Sequence, residues 1–84
     1  MYYVYILKSY KDKWLYTGST NNLRKRFTQH NTGKVESTKY RKPFELIYYE
    51  AYKAEKDARI RESQLKLRSQ ALIQLKRRLV QSLS

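Results

Sequence analysis

Eighty-four residues allow one domain, expected to span residues 1–84, with a modest packed core. Nineteen Lys and Arg against seven Asp and Glu leave a net charge of +12, which points to a polyanionic partner. With no cysteine and one histidine, a disulfide framework, a thiolate metal site and His–His catalysis are excluded.

The opening Met1–Leu7 run is apolar but lacks a basic lead-in and stops at Lys8. It is too short for a signal-peptide core or a membrane span, so a cytoplasmic location without a membrane partner is expected. Its aromatic and β-branched residues predict a strand over 2–8, and Trp14–Thr20 predicts a second strand after the polar turn Ser9–Lys13. Asn21 or Asn22 suits a helix N-cap. The helix over Leu23–His30 would pack through Leu23 and Phe27 and end at Gly33. Residues 34–43 are basic and irregular and are expected to form an exposed loop, and Phe44–Tyr52 reads as the third strand.

From Ala54 the period becomes helical, with Ala58, Glu62 and Leu65 on one face. A final helix carries Leu72, Leu75, Leu79 and Leu83 on one stripe. The order β-β-α-β-α-α predicts a mixed α/β fold of the α+β type, a three-stranded antiparallel sheet flanked by helices.

Three constellations carry chemistry. Glu62 lies on the stripe that should face the protein body, where a carboxylate needs an ion-pair partner (Arg59, Arg61 or Lys66) or a metal. Arg26 and His30 are four residues apart and are expected to share a helix face suited to an anionic oxygen cluster. Tyr3 and Tyr5 share a face of the first strand, and Tyr16 shares one with Trp14 on the second. A phenol in so basic a site could orient a water, or accept its proton if nearby cations lower its pKa.

Tyr3-Val4-Tyr5, then Tyr16-Thr17-Gly18, then Arg26, then Glu62 within Ala58–Gln64, resembles the GIY-YIG nuclease family over about the whole chain, most of all its small single-domain bacterial members. The resemblance implies that Tyr5 and Tyr16 line an active site and that one of them orients or deprotonates the attacking water. It further implies that Gly18 allows close approach, that Arg26 contacts the scissile phosphate, that His30 lies near the water, and that Glu62 holds one divalent metal ion, Mg²⁺ or Mn²⁺. Tyr3 and Thr17 depart from the motif residues, Ser19 stands where some members carry a lysine, and Gln74 is the nearest counterpart of a late asparagine.

The implied activity is a metal-dependent endonuclease acting on nucleic acid, DNA above all, with little sequence specificity and with repair or recombination as its setting. Backbone phosphates would meet Lys34, Lys39, Arg41 and Lys42 in the basic loop, and Lys66 and Arg68 after the fifth element. The alternative is a nucleic-acid-binding module that keeps the fold without the catalysis. A basic amphipathic last helix could also serve a membrane surface, although its leucines are needed for the core. A weak homodimer through that helix is left open.

Overall fold

A computed structural model describes residues 1–66 and 69–84 of the chain. The N-terminal aromatic run forms β1 (Tyr2–Ser9), which pairs antiparallel with β2 (Leu15–Thr20). Hydrogen bonds from Ser9 N to Trp14 O (2.8 Å) and from Lys13 N to Ser9 O (2.9 Å) close the turn, with Lys13 in the left-handed region at φ 63°. β3 (Phe44–Tyr52) returns along the other side of β1, so the order is β2-β1-β3 and β2 is an edge strand. One extra residue of β3, Ile47, bulges opposite the Ile6–Leu7 step.

The first helix, α1 (Leu23–Asn31), starts where Asn22 Oδ1 accepts from Lys25 N at 3.1 Å. Gly33 follows it at φ 76°, a conformation that favours glycine. After β3 come α2 (Glu55–Gln64), α3 (Gln70–Arg78) and the single turn α4 (Val80–Leu83). The one final helix expected from the leucine stripe is therefore broken at Leu79. Lys76, Arg77 and Arg78 fill the last turn of α3, where cations complement the negative end of the helix dipole. Lys8 donates its ammonium to the Leu83 carbonyl at the end of α4.

Helices cover both faces of the sheet. On one, Tyr5, Leu7 and Phe44 pack with Leu23 and Phe27 of α1. On the other, Val4 and Ile6 pack with Ala58 of α2, Leu65 just after it, and Leu72 and Leu75 of α3. The α+β architecture expected from the sequence is thus present. Leu79, partly buried, packs on the same core. No helix among the described residues is long and apolar enough to cross a membrane.

Residues 34–43 are not the open loop expected. Val35 and Thr38 are buried, and Lys39–Arg41 form a single 3-10 turn. Ser9 Oγ donates to the Arg41 carbonyl, and Asn31 brackets Phe44, accepting from its N–H at 2.6 Å and donating to its carbonyl at 3.3 Å. These bonds satisfy the polar backbone of a segment that runs over the core, which is why it can be both polar in sequence and fixed in place.

Candidate active site

Tyr5 lies opposite Gly18 in the β1–β2 ladder, and its ring passes directly over that residue. A Cβ on Gly18 would fall 2.5 Å from the Tyr5 hydroxyl oxygen and 2.9 Å from Tyr16 Cε2. The missing side chain lets the phenol reach from the central strand across the edge strand. There it meets α1: the Tyr5 hydroxyl is 2.8 Å from His30 Nε2, and the Tyr16 ring centre lies 5.0 Å from that of His30.

His30 is fully buried, and its Nδ1 is 2.8 Å from Oγ1 of the equally buried Thr38. Donor accounting assigns the direction of the whole chain of bonds. The Thr38 hydroxyl donates its proton to the Val35 carbonyl at 3.4 Å, so towards His30 it can only accept. Nδ1 then carries the imidazole proton and donates to Thr38, which leaves Nε2 to accept from the Tyr5 phenol. Three hydrogen bonds run from the phenol through the imidazole and the Thr38 hydroxyl to a loop carbonyl, with the Arg26 guanidinium near the phenol. Chains of this kind polarise one another in a low-dielectric interior.

The electrostatics follow from burial. Desolvation, with a smaller push from the Arg26 charge, lowers the pKa of His30 to about 4, so the imidazole is neutral at pH 7. Desolvation also raises Tyr5 to about 12 and outweighs the opposing Arg26 guanidinium. The cation-driven lowering of a tyrosine pKa expected from the sequence therefore does not occur at Tyr5. Nor do Arg26 and His30 share an exposed face. His30 continues the inward row of Leu23 and Phe27, and half-buried Arg26 flanks it, bonded to Gln29 Oε1 at 3.2 Å.

Arg26 lines a cleft of about 410 Å³ together with Ser19, Asn21, Lys25, Gln29 and Glu55. Ser19 also donates to Glu62 Oε1 at 2.6 Å, while Lys66 Nζ pairs with Oε2 at 3.1 Å. Of the three cations weighed as partners for Glu62, only Lys66 takes that place. Arg59 pairs with Glu55, and Arg61 chelates Glu50 on β3 through contacts of 2.9–3.2 Å. The Glu62 side chain keeps 22% of its surface exposed, and two of its four lone-pair directions remain open. That arrangement fits a hard divalent cation bound by one carboxylate and otherwise by water. No cluster of three or more acidic, His or Cys side chains exists among the described residues.

A family model described as the GIY-YIG catalytic domain matches residues 1–78. The chain belongs to the GIY-YIG catalytic domain family. It is 48% identical over 67 residues to a UPF0213 protein of Clostridium perfringens, an overlap covering 79% of this chain and 71% of that one. A UPF0213 protein of Streptococcus pyogenes is 43% identical over 67 residues, covering 79% and 72%. The solution NMR structure of a UPF0213 protein from Bacillus halodurans is 35% identical and superimposes with a TM-score of 0.54, covering 90% of this chain and 86% of that one.

The basic residues singled out in this GIY-YIG chain are dispersed. Lys34 and Lys42 are exposed, but Lys39 pairs with Glu36 at 3.0 Å. Arg41 pairs with Asp12 at 2.6 Å while its guanidinium sits 4.4 Å from the centre of the Trp14 ring. Gln74 is exposed on α3, and Arg68 lies outside the described residues. Thr38 went unnoticed in the sequence. Its one local signal is Val35, a lone apolar residue in a basic stretch.

Proposed function

We propose that this chain hydrolyses phosphodiester bonds in nucleic acid, DNA above all, with little sequence specificity and in the setting of repair or recombination in the bacterial cytoplasm. The observation that carries the reading is the hydrogen-bonded chain Tyr5–His30–Thr38 near Arg26, which lines a cleft whose wall also includes Ser19, the hydroxyl donor to Glu62. A phenol held near pKa 12 is not a phenolate at neutral pH, so Tyr5 acts as a relay. Its oxygen accepts a proton from the attacking water while its own proton passes to His30 Nε2. The water oxygen forms its bond to phosphorus and the bond to the leaving oxygen breaks.

Arg26 offsets charge building on the non-bridging oxygens. Glu62 would hold a Mg²⁺ or Mn²⁺ ion, which neutralises phosphate charge and eases departure of the leaving oxygen. The affinity of this family for nucleic acid and the surplus of cations support the choice of substrate.

One observation favours a second reading. Both Glu62 oxygens already have partners, one of them an ammonium, as in a purely internal ion pair. The chain would then bind nucleic acid without cutting it. Cleavage of labelled linear, nicked, flapped and four-way DNA and of an RNA hairpin, in Mg²⁺, Mn²⁺ or EDTA, separates the two. The nuclease reading expects metal-dependent cutting that falls about 100-fold or more in Glu62→Gln and in Arg26→Ala. No cutting, with salt-sensitive binding unchanged by Glu62→Gln, establishes the binding module instead.

A further inference from the structure

The outer side of the edge strand opens onto a second concavity, of about 780 Å³, walled by Trp14, Tyr16 and Ile73 together with Lys13, Lys66 and Lys76. It lies within the size range of pockets that enclose organic ligands, roughly 300–1,000 Å³. None of its lining residues is acidic. Nothing in the relay or in the cleft uses Trp14, Ile73, Lys13 or Lys76.

We propose that this groove binds an unpaired stretch of the nucleic-acid strand and leads it toward Glu62. The inference rests on nucleic acid as the partner but not on catalysis. Two aromatic rings beside three ammonium groups suit a ligand that carries flat π-faces and phosphates together. Bases of every kind stack on aromatic rings, because each presents a π-face. A duplex hides its base faces, so only an unpaired segment can use the rings as well as the lysines. An acidic peptide could meet the lysines, but it would leave the indole and Ile73 without matching surface.

The rings are held ready. Arg41, tethered to Asp12, sits over the Trp14 ring, and Asp12 Oδ1 accepts from the backbone N–H of Trp14 at 3.1 Å. Trp14 and Tyr16 are neighbours at 5.8 Å between ring centres. The groove is also continuous with the candidate active site. Tyr16 touches both, and Lys66 lies 5.8 Å from the centre of the Tyr16 ring while pairing with Glu62 and donating to the Thr17 carbonyl at 3.1 Å. A strand stacked on Trp14 and Tyr16 therefore passes Lys66 on its way to the carboxylate.

Trp14 is the only tryptophan, so its fluorescence reports on the groove directly. The test titrates the full chain in EDTA with a twelve-nucleotide oligo-dT, a twelve-base-pair duplex and polyglutamate. Oligo-dT should quench Trp14 and bind about tenfold or more tightly than the duplex. Ile73→Glu and Lys76→Glu should each weaken oligo-dT binding about tenfold with duplex binding little changed. Both positions are exposed on α3, so the core formed by Leu72 and Leu75 is untouched, and Lys56→Glu, exposed on α2, is the charge control.

Equal affinity for oligo-dT and duplex overturns the inference, as does quenching that survives both variants or a loss as large in Lys56→Glu. Polyglutamate binding as tightly as oligo-dT overturns it in favour of an acidic-peptide site. If neither nucleic acid binds, the proposed function itself falls. If the duplex binds and the groove stays silent, only this inference does.

Discussion

Thr38 and His30 are both fully buried and meet through Oγ1 and Nδ1 at 2.8 Å. A hydroxyl on the loop after α1 therefore decides which nitrogen of the only histidine carries its proton, and so whether Nε2 is free to accept from Tyr5. Replacing Thr38 with Val keeps the shape and leaves the Nδ1–H without an acceptor. Thr38→Val should lower stability by about 1–3 kcal/mol, the desolvation penalty of an unpaired buried donor. It should also slow cleavage, whereas Thr38→Ser restores both. Urea unfolding beside single-turnover cleavage checks this. Loss of stability with an unchanged rate would remove Thr38 and His30 from the relay.

Stability should fall with pH well before the carboxylates titrate. His30 has a folded pKa of about 4, below its unfolded value, because burial disfavours the imidazolium. The unfolded chain therefore binds the extra proton, and stability present above pH 6.5 is lost as pH falls from there toward 4. Between pH 8 and pH 5.5 the loss amounts to about 1.4 kcal/mol. Urea midpoints at those two pH values should differ accordingly for the wild type and converge for His30→Gln. An equal pH dependence in the variant would show that folding does not lower the His30 pKa.

Gly18→Ala is the sharpest test of the Tyr5 placement. The added methyl would lie 2.6 Å from Tyr5 Cζ and 2.9 Å from Tyr16 Cε2, and the Tyr5 ring is flanked by those of Tyr16 and His30. The phenol must swing off His30, at a cost of about 1–3 kcal/mol as for other overpacked sites. Near-ultraviolet circular dichroism should report the displaced tyrosine, and cleavage should fall with it. Retained stability, spectrum and rate would mean that the ring does not occupy this position.

The parts of the fold legible in the sequence are those governed by local preference. β-branched and aromatic runs gave the strands, and the pair Asn21–Asn22 and Gly33 marked the ends of α1, because those effects act within a few residues. The carboxylate at Glu62 was legible as an anomaly, since helical period alone turns it inward. His30 was misplaced although the spacing from Leu23 and Phe27 was in plain view. Its pairing with Arg26 looked like a surface motif until Tyr5 and Thr38 supplied buried partners from other elements. The Arg41–Asp12 pair was hidden in the same way, because its partners lie 29 residues apart in the chain. The direction of the Tyr5 pKa was equally hidden, because it depends on burial and not on the count of nearby cations.

The Glu50–Arg61 pair offers a last test, one that concerns how Glu62 is held. Glu50 projects from β3 toward α2, accepts from the hydroxyls of Tyr48 and Tyr52, and is chelated by Arg61, the residue before Glu62. Burial alone would raise its pKa, but the bonds from Arg61, Tyr48 and Tyr52 outweigh it and hold the carboxyl below its usual value. The associated stability is present above the unfolded pKa and is lost as pH falls through the lower folded one, a range more acidic than the onset of the His30 loss. Arg61→Met leaves a partly buried carboxylate with two phenols and no cation. With the two side chains 26% and 16% exposed, the cost should be about 1–3 kcal/mol, below that of a fully buried pair. The double variant Glu50→Gln, Arg61→Met should recover part of this loss, because no unpaired charge remains. If the pair anchors α2 under the site, Arg61→Met should also raise the Mg²⁺ concentration needed for half-maximal cleavage and the double variant should not lower it again. A stability loss with an unchanged metal requirement would confine the pair to holding the helix on the sheet.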